Sequence, residues 1–171
     1  KEINYSFAPT GTDKFIGTIK MRYYNTGSFT KFTSRYRTYA RVLLPLGSQF
    51  ISVSGSMKAD KSLEPAPVDQ GIEKEKQWFG TFISIEPGKT KELVWKFYLS
   101  PAIVSQIKNG SYNLLAQKAL GTVGDKLTLD FNFGKNITFA NPSEDIKSIG
   151  DQKYSYSTDL RLDRNFQVNL K

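Results

Sequence analysis

The chain contains no cysteine and no histidine. The first absence excludes a disulfide framework, thiolate catalysis and cysteine-ligated zinc. The second removes the commonest general base near neutral pH, the commonest metal ligand and every triad built on imidazole. An enzyme of this composition would run on carboxylates, lysine, tyrosine or serine. No stretch approaches the roughly eighteen apolar residues of a membrane-spanning helix. No signal peptide is visible, and the chain opens on Lys1 rather than Met, which reads as a piece excised from a longer protein with any targeting signal upstream. There is no internal repeat. No long amphipathic helix and no regular alternation of helix with strand occurs, which argues against a parallel α/β sheet.

What is present is 171 residues, suited to a single domain over 1–171 that needs no covalent or metal staple. The net charge of +8 is uneven. Residues 1–50 hold eight Lys/Arg against two Asp/Glu, residues 51–120 nine against seven, and residues 121–171 seven against seven. The basic excess therefore belongs to the first strands. Such a face can attract phosphate, anionic glycan or an acidic membrane, or simply stay solvated.

The organising stretch is Arg35–Gly55, RYRTYARVLLPLGSQFISVSG. Tyr36, Thr38, Ala40, Val42 and Leu44 alternate with Arg35, Arg37, Tyr39 and Arg41, so one face is buried and the other wet. A Pro-Leu-Gly-Ser break and a second strand follow, read together as a hairpin-like unit. Upstream, Glu2–Phe7 reads as an edge strand. Phe15–Tyr23 alternates with Phe15, Gly17, Ile19, Met21 and Tyr23 inward. Ser56–Gln77, with Pro65 and Pro67, reads as a long surface loop. Trp78–Ile85 and Thr90–Leu99 are strands joined by a Glu86-Pro87-Gly88-Lys89 turn, and the middle of the core is placed between them with both tryptophans. Ser100-Pro101 starts a short helix that Asn109-Gly110 stops. Strands are expected at Ser111–Lys118, Lys126–Phe133, Tyr154–Ser157 and Asn165–Leu170. Asn141–Gly150 reads as loop, with a helical turn at Pro142–Ile146. The fold class is all-β: an immunoglobulin-like or related antiparallel β-sandwich of about eight to ten strands with one short helix.

The segments YRTYARVLLPLGSQFISVSG, WFGTFISIEPGKTKELVWKFYLS, SYNLLAQKALGT and DLRLDRNF follow one another in this order. Together they resemble the C-terminal portion of bacterial membrane-anchored proteins grouped as domain-of-unknown-function family 4012. The similarity runs from about Ile16 to Phe166, with Ala119-Leu120 where the family tends to carry Gln-Pro. These motifs are strands and turns, so they constrain fold more than chemistry. The resemblance implies an extracytoplasmic domain on a protein held by an N-terminal membrane helix, and no reaction.

Candidate sites are few. Arg35, Arg37 and Arg41, with Tyr39 between them and Lys31 and Arg22 nearby, form either an anion platform or a charged face paired to acids such as Glu92. The pattern matches no nucleic-acid-reading module. Asp159 and Asp163, read as one face of a strand beside Arg161, and Glu144, Asp145 and Asp151 suggest a carboxylate pair or calcium. No calcium-loop spacing is present, and a simple charge ladder is the plainer reading. The 21 tyrosines and phenylalanines serve core filling first and sugar stacking second. The expectation is a non-catalytic extracytoplasmic structural or interaction module, without cofactor. Its partner would be a cell-envelope glycan or another surface protein, not nucleic acid, with membrane contact only through an upstream anchor. The alternative is a binding module for an anionic envelope polysaccharide through Arg35, Arg37 and Arg41.

Overall fold

Alternation every second residue builds one wide sheet whose inward side chains fall into register across the strands. The computed structural model describes residues 1–31, 34–58, 64–144 and 150–171. Among them are twelve strands: β1 (Glu2–Pro9), β2 (Phe15–Tyr24), β3 (Tyr36–Pro45), β4 (Gln49–Ser54), β5 (Asp69–Glu73), β6 (Lys76–Ile85), β7 (Thr90–Tyr98), β8 (Ser111–Ala116), β9 (Lys126–Asn132), β10 (Ile137–Asn141), β11 (Lys153–Asp159) and β12 (Arg164–Leu170). The helix α1 (Pro101–Lys108) lies between β7 and β8. Ser100 caps it, its hydroxyl accepting from the Ile103 amide, and Pro101 occupies the first turn, where an amide would go unused. No helix among the described residues is long and apolar enough to cross a membrane.

The protein is an all-β sandwich. One layer is a six-stranded sheet in the order β11-β9-β1-β2-β7-β4; the other comprises two three-stranded sheets, β3-β6-β5 and β10-β12-β8. Pairing is antiparallel except for β1 with β9, which is parallel. Across the large sheet one inward row reads Tyr154, Phe131, Phe7, Gly17, Phe97, Phe50. The next reads Tyr156, Leu129, Tyr5, Ile19, Trp95, Val53. The gap in the first row is filled by its neighbour: a Cβ at Gly17 would stand 2.6 Å from the Phe97 ring. Ring contacts then tie the layers together. Phe50 meets Phe79 of β6 at 5.4 Å, Phe7 meets Tyr112 of β8 at 5.3 Å, and Tyr156 meets Phe166 of β12 at 5.7 Å. All of these belong to one apolar cluster together with Val104 and Ile107 of the helix.

Several expected connections differ. The Arg35–Gly55 unit is not a hairpin: β3 pairs with β6 in one layer and β4 with β7 in the other. The Pro45–Ser48 turn, closed by the Ser48 amide and hydroxyl on the Pro45 carbonyl, carries the chain across the sandwich. The Glu86–Lys89 turn forms with its Lys89-to-Glu86 bond of 3.1 Å, yet it too crosses layers instead of folding β7 back on β6. Trp95 is core, while Trp78 lies on the outer face. Strand β1 is central, between β9 and β2. The stretch read as a long loop contains β5, joined to β6 by a two-residue turn in which Lys74 and Glu75 have φ of 48° and 60°. That is the turn twist a hairpin favours, formed without the usual Asn-Gly. The helical turn expected at Pro142–Ile146 falls partly on residues outside those described.

Five tyrosines, four packed in the core and Tyr39 on the outer face of the β3-β6-β5 sheet, resist ionisation. Burial pushes Tyr5 and Tyr23 up to about 12, and burial followed by the Asp69 carboxylate does the same to Tyr39. Burial raises Tyr112 and Tyr154 further. A folded pKa above the unfolded value stabilises the fold fully below the unfolded pKa, and that contribution is lost as pH rises through the folded one. The resistance of the protein to urea is therefore expected to hold up to about pH 10 and to fall between about pH 10 and 12, with tyrosinate absorbance rising in step with unfolding. Complete tyrosinate formation by about pH 11.5 with the fold intact would contradict this burial.

Candidate functional site

The outer face of the β3-β6-β5 sheet carries the residues that stand out in the sequence. Register places Tyr39 opposite Phe82 and Arg41 opposite Gly80 on β6, with Asp69 of β5 beyond Gly80. The missing side chain at Gly80 gives Tyr39 its path, because a Cβ there would lie 2.3 Å from the Tyr39 hydroxyl oxygen. Tyr39 crosses this notch and donates to Asp69 Oδ2 at 2.6 Å, while its ring packs edge-on to Phe82 at 4.9 Å. Trp78 uses Gly71 in the same way, its ring within 3.0 Å of where a Cβ would be. Arg41 then stacks its guanidinium on Trp78 at 4.3 Å and donates from Nη2 to Glu73 Oε2 at 2.5 Å. That guanidinium holds the Glu73 carboxyl below the ordinary carboxylate range. Arg35 pairs with Glu86 in the layer-crossing turn. Arg37 projects from the same face and is also engaged.

The structure thus brings Arg37, Tyr39 and Arg41 onto one face, with Arg35 just before the strand, and it supplies acidic partners that the sequence reading did not name. Glu92 is not one of them. It lies on β7 in the other layer and takes Arg22 at 2.8 Å and Lys20 at 3.9 Å. Arg22 for the same reason is no neighbour of the β3 arginines. Asp69 and Glu73 ride on β5, in a stretch whose two prolines point to a loop; the alternation of Asp69, Gly71 and Glu73 on one face is the signal for a strand.

The acidic residues near the C-terminus do not form a carboxylate pair on a strand. Asp159 ends β11, and Asp163 sits in the turn before β12. Asp159 accepts from the Arg161 amide at 3.2 Å and from Arg164 at 3.0 Å, and these two donors hold its carboxyl low. Asp163 Oδ1 accepts from the Lys118 amide at 2.8 Å. Glu144 accepts from the Ser155 amide, and burial raises its carboxyl. Asp145 lies outside the described residues. Among the described residues no group of three or more His, Cys, Asp or Glu side chains is disposed to hold a metal.

A concavity of about 550 Å³ opens on the outer face of the six-stranded sheet between β11, β9, β1 and β2. Asp130 stands in it, accepting from Ser155 Oγ at 2.6 Å and Asn4 Nδ2 at 3.2 Å, with Ile16 and Ala8 as apolar floor. Here too the carboxylate is held by neighbouring strands. No family model matches the chain, and no curated protein matches it.

Proposed function

We propose that this chain is a non-catalytic module of a bacterial membrane-anchored surface protein, extracytoplasmic, working as a rigid body through its surface. The resemblance to domain-of-unknown-function family 4012 supports the setting. The observation that carries the non-catalytic reading is the engagement of the polar residues that stand out. Arg35 with Glu86, Arg41 with Glu73 and Trp78, Tyr39 with Asp69, Asp159 with Arg164, and Asp163 with the Lys118 amide each join two segments of the fold. Groups committed in this way brace a body and are poorly placed to move protons.

A second reading rests on one specific observation. Tyr39, Phe82 and Trp78 alternate with arginine on an outer sheet face, which offers ring surface and guanidinium to an anionic envelope polysaccharide. The triple variant Arg35→Ser/Arg37→Ser/Arg41→Ser separates the two. For the bracing role, calorimetric titration with uronate- and phosphate-bearing polysaccharides is expected to show no difference from the parent, and urea unfolding a modest loss. Each exposed pair contributes about 0.2–1 kcal/mol, so the expected loss is about 1–2 kcal/mol. Parent binding that vanishes in the variant, with the fold retained, would establish the polysaccharide reading instead.

A further inference from the structure

The strand directions gather particular loops at one end of the sandwich. Asn25, just past β2, donates from Nδ2 to the Ile85 carbonyl at the end of β6, and its backbone bonds Gly88 and Lys89 in the turn that follows. At the same end Lys1 bonds the Lys126 amide that opens β9, and Lys1 Nζ pairs with Asp125 at 2.9 Å while facing the Tyr23 ring. The loop from β8 to β9 and the turn from β11 to β12 lie against each other there. The Leu160 amide bonds the Asp125 carbonyl at 2.8 Å, the Lys118 amide bonds Asp163, and Arg161 packs on Gly124. The bases of these loops are therefore held, yet their tips present large apolar side chains to water. Leu120 is 100% exposed, Val123 93%, Leu162 68% and Phe29 68%.

Single exposed apolar residues are ordinary, but these four fall on three loops of one end. The same end is basic. Residues 1–2, 22–31, 34–37, 86–92, 117–126 and 159–164 hold eleven Lys/Arg against six Asp/Glu. Apolar tips within a cationic surround match a surface with an apolar interior and an anionic rim. We infer that this end of the sandwich docks on an anionic lipid surface, with Leu120 and Val123 entering the headgroup layer and lysines such as Lys118 and Lys126 meeting the lipid phosphates. The inference does not depend on the family resemblance, and it departs from the expectation that an upstream anchor is the sole membrane contact. Docking by two short side chains is weak and reversible, as a single acyl chain already gives only marginal binding.

Co-sedimentation with phosphatidylglycerol–phosphatidylcholine vesicles tests it on the whole chain. Binding is expected, weakened by salt and much lower on phosphatidylcholine alone. Leu120→Glu/Val123→Glu is expected to weaken it about tenfold or more at an unchanged thermal midpoint, because both side chains are solvent-exposed in the parent. Lys118→Gln/Lys126→Gln is expected to weaken it on the anionic vesicles. Absence of binding by the parent, equal binding by the Leu120→Glu/Val123→Glu variant, or equal binding to both lipids would overturn the inference. So would concentration-dependent self-association of the parent that the same variant abolishes, which assigns the tips to a second copy of the chain.

Discussion

Phe131→Ala is expected to lower the free energy of unfolding by about 3–5 kcal/mol. Phe131 sits on β9, bonded on one side to β1 and on the other to β11. Its ring stacks on Phe7 at 4.4 Å and meets Tyr5 at 5.1 Å and Tyr112 at 5.4 Å edge-on. Removing it strips partners from both layers at once. The surrounding rings are held by sheet register and cannot collapse fully into the space, so the cavity adds to the lost transfer free energy. Urea unfolding followed by fluorescence checks the value. A loss below about 1 kcal/mol would place Phe131 outside the core.

Trp95→Ala is expected to cost about as much, 3–5 kcal/mol, by the same large-to-small mechanism. Trp95 is 1% exposed and lies between Ile19 of β2 and Val53 of β4. Its indole Nε1 has no hydrogen-bond partner among the described residues. A buried donor without a partner carries an unrelieved desolvation cost, so Trp95→Phe, which deletes that donor and keeps a ring, should lose less than half as much. Equal losses for the alanine and phenylalanine variants would mean that the indole's extra ring, and not simply an aromatic side chain, fills the site. Both tests concern the body of the domain and are independent of its partner.

Period-two alternation made the strands and their faces legible in the sequence. It placed Phe15, Met21 and Tyr23 of β2, Ala40, Val42 and Leu44 of β3, and Leu127, Leu129 and Phe131 of β9 on the buried side, where they are. The capping chemistry at Ser100-Pro101 set the helix start for a local physical reason. What alternation cannot carry is the choice of sheet. An inward residue on β4 looks the same whether its strand pairs with β3 or crosses to the other layer, and turn residues at Pro45–Ser48 and Glu86–Lys89 serve both outcomes. Strand β10 escaped because a shift of register between Ile137 and Phe139 breaks its alternation. Strand β5 escaped because Lys74–Glu75 is unusual chemistry for a tight hairpin turn. Since Asp69 and Glu73 ride on β5, missing the strand also concealed the partners of Tyr39 and Arg41. The exposed tips at Leu120 and Val123 had only one signal, apolar residues in a glycine-bearing loop, and that signal has meaning once the fold shows which loops share an end.

On the proposal made above, the loop end is the working surface and the arginines of the β3 face brace the sheet. Amide chemical-shift mapping of the isotope-labelled chain against anionic lipid nanodiscs tests this most directly. Shifts and broadening are expected around Phe29, Lys118, Leu120, Val123 and Leu162, with Tyr39 and Arg41, farther along the β3-β6-β5 face, unmoved. Perturbation centred on Tyr39 and Arg41, or a spectrum that does not change at all, would contradict the assignment.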